Sequence, residues 1–171
     1  MLTLARLSEL GWVKRWPLAG GGLPMRTYYY TEGWRAALSR LPGAQAGRLA
    51  RPASARGRVL GLVEQFVSGD RRAILVRPQG NGMEPPFKRL KDPHCVVVTM
   101  RTKATRSFGF FAGLDTFVAV ELVETKALKG KSASDPYREY ARKVEKFIER
   151  LSENDIDRTT DVESLITDSA M

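Results

Sequence analysis

The run Cys95-Val96-Val97-Val98-Thr99-Met100-Arg101 is followed by Thr105-Arg106-Ser107-Phe108-Gly109-Phe110-Phe111 and then by Phe117-Val118-Ala119-Val120-Glu121-Leu122-Val123. Each run is rich in β-branched and aromatic residues and has the length of a strand. The gaps between them are short. A parallel pair would need a crossover of roughly a dozen residues or more, so consecutive runs are expected to pair antiparallel. Phe87-Lys88-Arg89-Leu90-Lys91-Asp92 leads into the block and Lys126 closes it, so a basic residue stands at or near one end of every run.

Helices are expected on both sides of this sheet. Downstream, Ser134-Asp135-Pro136 is a helix start, with Asp135 as cap and Pro136 as first residue, where a missing N–H costs nothing. Tyr137, Tyr140, Val144, Phe147, Ile148 and Leu151 then form an apolar stripe suited to packing across a sheet. Upstream, Pro52 opens a helix with Val59, Leu62, Val63, Phe66 and Val67 on one face, ended by Ser68-Gly69-Asp70. Ala73 to Val76 reads as a first strand and Pro78 to Gly82 as a loop.

The first 42 residues read as helix–hairpin–helix. Leu4, Leu7 and Leu10 have helical spacing and stop at Gly11. Trp12 to Leu18 and Met25 to Tyr30 read as strands joined by a glycine-rich turn, and Thr31 caps a helix through Trp34, Ala37, Leu38 and Leu41. The expectation is an α+β protein with a basic, wing-like extension over 1–42, a linker over 43–51, a domain over 52–151 with a small antiparallel sheet packed against helices, and an acidic tail over 152–171, either disordered or weakly helical.

The net charge of +9 is unevenly spread. Residues 1–60 hold ten Lys/Arg against two Asp/Glu, residues 61–131 twelve against seven, and residues 132–171 six against ten. A basic body of this kind points to a polyanionic partner, nucleic acid before membrane. Cys95 is the single cysteine and His94 the single histidine, which leaves no intrachain disulfide and no usual zinc set. No metal or cofactor is expected. Cys95 reads as a buried thiol and His94 as a turn residue facing solvent, with a proton carrier as its functional alternative. No apolar run approaches the ~20 residues of a membrane span, and no signal peptide is evident, so a cytoplasmic protein is expected.

In order and sequence, roughly residues 52–150 resemble the RelE/ParE superfamily of small bacterial toxins, nearest its HigB-like, phage-associated branch. Lys88, Leu90 and Asp92 match a Lys-x-Leu-x-Asp link; Thr99-Met100-Arg101 matches the end of a strand closing in Glu-Leu-Arg; Arg106, Phe108, Phe110 and Phe111 match an Arg-hydrophobic-x-Phe/Tyr-Phe strand. The departures are Thr99 in place of the glutamate, and Thr125-Lys126, with Lys129 and Lys131 close behind, in place of a Lys-Lys pair.

The resemblance implies a ribosome-dependent endoribonuclease that cuts mRNA and inhibits translation, held inactive by a cognate antitoxin protein. The 2′-hydroxyl would attack the adjacent phosphate without a metal, and fixed cations would stabilise the charge that develops. Arg106, Arg101 and Lys126 are the candidate catalytic residues. Lys88, Lys91 and Lys129 are candidates for RNA binding. Tyr137 and Tyr140 could donate a proton or stack on a base, but on this helix a core role is the simpler reading. ParE toxins of the same scaffold poison DNA gyrase, so replication block through gyrase or the sliding clamp is the alternative. Phe110-Phe111 resembles half of a clamp-binding peptide, although as strand residues they suit the core better. Tyr28-Tyr29-Tyr30-Thr31-Glu32-Gly33 resembles the wing of PadR-like regulators, with Lys14, Arg15 and Arg26 as possible phosphate contacts; packing of this hairpin on the toxin domain or its antitoxin is the plainer reading. A pure interaction protein is a further alternative.

Overall fold

The computed structural model describes residues 2–18, 22–43, 54–70, 73, 77–79, 82–91, 93–94, 96–129, 135–151, 156 and 162–166. All but Gly43 of the expected 43–51 linker, Pro52 as a helix start, all but Ala73 of the expected 73–76 strand, Cys95, Lys131 and most of the acidic tail lie outside these residues.

The chain runs through α1 (Leu4–Glu9), β1 (Val13–Arg15), β2 (Thr27–Thr31), α2 (Glu32–Arg40) and α3 (Ala55–Val67). It continues through β3 (Arg77–Gln79), β4 (Gly82–Glu84), β5 (Phe87–Arg89), β6 (Val98–Arg101), β7 (Thr105–Gly113) and β8 (Thr116–Glu124). A 3₁₀ turn over Thr125–Lys129 precedes α4 (Pro136–Ile148). The protein is mixed α and β. Six strands form one sheet in the order β1-β2-β8-β7-β6-β5, and β3 and β4 form a separate two-stranded ribbon.

The sheet is larger than the three long runs alone suggest, and it is mostly antiparallel. Among the described residues its parallel pairing is that of β2 with β8, in the register Tyr28↔Phe117, Tyr29↔Val118 and Tyr30↔Ala119. Residues 13–31 thus contribute two strands to the sheet that the central block builds. Pro78 and Gln79 in β3 and Gly82 in β4 are paired strand residues, where a loop was expected.

Both faces of the sheet are covered. α2 and α3 lie on one side, with Trp34, Leu38, Leu62, Val63 and Phe66 packed against Tyr28, Met100, Phe111 and Phe117. α1 and α4 lie on the other, with Leu7, Val144 and Ile148 against Phe108, Phe110, Val118 and Val120. This double cover explains why β7 and β8 are nearly continuous apolar runs, since strands buried on both faces lose the polar half of their alternation. The helix starts follow their caps: the side chains of Thr31, Ser54 and Asp135 accept from the backbone N–H groups of Trp34, Gly57 and Tyr137. Thr31 also donates to the Val120 carbonyl at 2.7 Å, so the α2 cap is bonded directly to β8.

Gly109 sits at a register shift between β7 and β8. A Cβ there would collide with the Val118 carbonyl oxygen and lie 2.8 Å from Phe117 Cζ. Only glycine lets the two backbones approach so closely.

Candidate nucleic-acid interface

Of the cations singled out in the sequence, Lys88 lies on β5, Lys91 just after it, Arg101 on β6 and Arg106 on β7, while Lys126 and Lys129 lie in the 3₁₀ turn that follows β8. Arg101 and Arg106 are Cα partners on β6 and β7, so their side chains leave the same face of the sheet. The turn between these strands is short and self-bonded: Thr102 and Thr105 hydroxyls lie 2.8 Å apart, and Thr105 N–H donates to Thr102 Oγ1 at 3.1 Å.

Arg106 is 6% exposed. Its Nη1 donates to the Thr102 carbonyl at 2.6 Å, the Thr105 carbonyl at 2.9 Å and Thr125 Oγ1 at 3.4 Å. The guanidinium therefore staples the 102–105 turn to the residue that follows β8. Sequence alone suggested a phosphate clamp; the period-2 phase of β7 places Arg106 on the covered face with Phe108 and Phe110, and the nearest acceptors are backbone carbonyls.

Arg101 is bridged by Glu84, and the same carboxylate takes Lys88 Nζ at 3.0 Å. The Lys88 hydrogen bond and the Arg101 charge hold the Glu84 carboxyl below the usual carboxylate range, against an opposing contribution from burial. Glu84 thus sits where a phosphate oxygen would sit if Arg101 and Lys88 gripped RNA. Nothing in the sequence pattern marks this residue, because it reaches the cations from the β3–β4 ribbon.

Lys126 projects into solvent with 79% of its side chain exposed, 3.0 Å from Glu124. Lys91 and Lys129 are exposed. The structure brings Arg101, Arg106 and Thr125 to one end of the sheet, and joins Lys88 to Arg101 through Glu84. Lys126 follows Thr125 in the chain but pairs away with Glu124.

His94 does not face solvent. The turn before β6 folds against α4, where His94 Nδ1 lies 2.7 Å from Glu145 Oε1. Nε2 is buried and has no hydrogen-bond partner among the described residues. Leu90, Lys91, Pro93, Tyr137 and Arg138 join His94 around a cleft of about 360 Å³. Tyr137 and Tyr140 both pack on Phe108, with Tyr140 stacked at 5.3 Å, so their rings belong chiefly to the α4 core.

The hairpin cations are divided. Lys14 pairs with Glu32 at 3.4 Å, and Arg15 reaches Thr27 at 3.5 Å. Arg26 is 2% exposed, bonded to Asp115 and to the carbonyls of Phe66 and Asp70, with its guanidinium over the Phe66 ring. Its burial against the β7–β8 turn closes the alternative of a phosphate contact at Arg26. Phe110 and Phe111 are both fully buried.

Among the described residues no cluster of His, Cys, Asp and Glu could hold a metal ion, and no helix is long and apolar enough to cross a membrane. No known protein family, curated protein or solved structure matches the chain.

Proposed function

We propose that this protein is the toxin of a bacterial toxin–antitoxin pair, a RelE/ParE-superfamily member of the HigB-like branch, and that it arrests growth by cutting mRNA on the ribosome. The order of elements supports the reading: a helix (α3), a lysine-bearing link (β5), a strand ending at Arg101, a strand beginning at Arg106, an apolar strand closed by Lys126, and a C-terminal helix (α4). The observation that carries it is the register Arg101↔Arg106, which sets two guanidinium-bearing positions side by side on one sheet face.

In this mechanism the RNA 2′-hydroxyl gives its proton to water as its oxygen attacks the neighbouring phosphorus, the bond to the 5′-oxygen breaks, and the products are a 2′,3′-cyclic phosphate and a 5′-hydroxyl protonated from water. Arg101 and Lys126 supply the positive charge that stabilises the phosphorane. Arg106 acts as a positioning residue, fixing the turn that follows Arg101. The phosphate displaces Glu84 from Arg101 and Lys88, while Lys91 and Lys129 hold the flanking backbone. An antitoxin with an acidic or apolar segment would cover the same cations.

The test compares induction of wild type, Lys126→Ala and Arg101→Gln in bacteria, with mRNA ends mapped and translation followed. Loss of cuts and of toxicity in both variants is expected. Unchanged toxicity with intact transcripts would overturn the nuclease.

A second reading is favoured by the burial of Arg106, which leaves the phosphate clamp one cation short: a toxin of the same fold that blocks replication by binding gyrase, without cutting RNA. DNA-synthesis arrest that precedes translation arrest would select it. A sliding-clamp contact through Phe110 and Phe111 is closed off by their burial.

A further inference from the structure

A second cleft of about 360 Å³ lies between α4, β8 and the α1–β1 junction, apart from the cations at the β6–β7 turn. Its volume is at the lower end of the roughly 300–1,000 Å³ of small-ligand sites. Trp12 and Phe147 give it aromatic surfaces, Lys143, Lys146 and Arg150 give it positive charge, and Glu121 is its acidic lining residue. Trp12 is 42% exposed, unusual for a tryptophan in a fold whose other two tryptophans are packed in or against the core. Arg150 lies over its ring at 5.3 Å, which keeps the indole face and the guanidinium in one place.

Lys143 and Lys146 stand three residues apart on α4, a spacing that puts them on one helix face, and Arg150 follows just past the helix end. Lys143 lies 3.7 Å from Glu139 and over the Tyr140 ring at 4.8 Å, whereas Lys146 has no ion pair among the described residues. Lys146, unpaired among the described residues, stands with two further cations beside an exposed aromatic ring, a combination that binds single-stranded nucleic acid: a groove of cations tracks the phosphates while a base stacks on the ring. Glu121, half-buried on β8, lines the cleft. A carboxylate there rejects phosphate and accepts a hydrogen bond from a hydroxyl or an amine.

We propose that this cleft binds one nucleotide unit of single-stranded RNA, with the base against Trp12 and Phe147, the phosphate on Lys146 and Arg150, and the ribose 2′-hydroxyl or a base amine on Glu121. The site extends beyond the toxin reading and does not depend on it, because binding is measured on the purified full chain without a ribosome.

Fluorescence anisotropy of a labelled hexauridylate tests it. Lys146→Glu is expected to weaken binding at least tenfold, whereas Arg142→Glu, an equal charge change on the same helix outside the cleft, stays within about twofold. Trp12→Ala is expected to lose about tenfold and Trp12→Phe to recover most of that loss. The deoxy oligomer is expected to bind more weakly than the RNA. Equal losses for Lys146→Glu and Arg142→Glu would reduce the effect to diffuse charge and overturn the site. So would an unchanged affinity in Trp12→Ala, equal affinity for RNA and DNA, no binding by the wild type, or displacement of the RNA by hexaglutamate at equal concentration, which would mark a surface for acidic peptides. Failure here leaves the Arg101 and Lys126 trial in cells undecided, and success does not settle it.

Discussion

Arg26 Nε donates to Asp115 Oδ1 at 3.2 Å, joining the strand β2 entry to the β7–β8 turn 89 residues further along the chain. Asp115 holds a positive φ of 54°, and its backbone carbonyl accepts from Thr27 N–H at 2.8 Å. The turn is thus pinned by both side chain and backbone to the start of β2. Removing the carboxylate takes the Asp115 charge away from a buried guanidinium. Asp115→Ala is therefore expected to cost about 3–5 kcal/mol in urea unfolding. A loss under about 1 kcal/mol would show that the Phe66 and Asp70 carbonyls suffice for Arg26.

Arg106→Ala removes the staple of the 102–105 turn. Hydrogen bonds to a charged donor are worth roughly 1.5–3 kcal/mol, and a destabilisation of that order is expected. Lys126→Ala, at an exposed position, should leave unfolding within about 0.5 kcal/mol of wild type. This contrast matters for the toxin reading, because loss of activity in Arg106→Ala alone would not separate chemistry from folding.

Ser107 accepts the Trp34 indole N–H at 2.6 Å between the sheet and α2. Ser107→Ala leaves that buried donor unpaired and is expected to cost about 1–3 kcal/mol, read by thermal or urea melts. Gly109→Ala inserts a methyl group against the Val118 carbonyl and should cost at least as much, about 1–3 kcal/mol or more. A neutral Gly109→Ala would mean that the bulge can open without cost.

Two glutamates give opposite responses to pH. Glu84 titrates below the ordinary carboxylate range because Lys88 and Arg101 hold its charged form. Its contribution is present above the unfolded-state pKa and disappears as pH falls through the lower folded value. Glu121 titrates above the ordinary range, chiefly through burial, with the Glu139 charge adding to the shift and Lys143 opposing it. The folded state there binds its proton more tightly than the unfolded chain, so stability declines as pH rises from the ordinary carboxylate pKa to the folded one. Glu121→Gln should therefore raise the Tm at pH 7 and lose that advantage in acid. Glu84→Gln should lower the Tm at pH 7 and converge with wild type at low pH. Curves that run parallel across pH would contradict both assignments.

Local signals in the sequence were readable. The caps at Thr31 and Asp135 and the stripe on α4 depend on residues within one or two turns of each other. The β2–β8 pairing left no local trace, since everything from α2 to β7 lies between its partners. The nearest hint is that β8 lacks alternation, as a strand covered on both faces must. The short β3–β4 ribbon was hidden by Pro78 and the glycines beside it, which read as loop. The types of the cations were legible, but their partners were not. Glu84 reaches them from another ribbon, and the Thr102 and Thr105 carbonyls carry no side-chain signature. His94 was misplaced because its setting depends on Glu145, which reaches it only when α4 docks.

β2 lies between β1 on one edge and β8 on the other. During synthesis its β8 edge must wait until almost the whole described sheet has emerged. Contacts so distant along the chain slow folding and leave an open strand edge in the nascent protein. Assembly is thus gated by the last strand made, and the newborn chain has a period of vulnerability to aggregation or to capture by a partner that supplies a strand of its own.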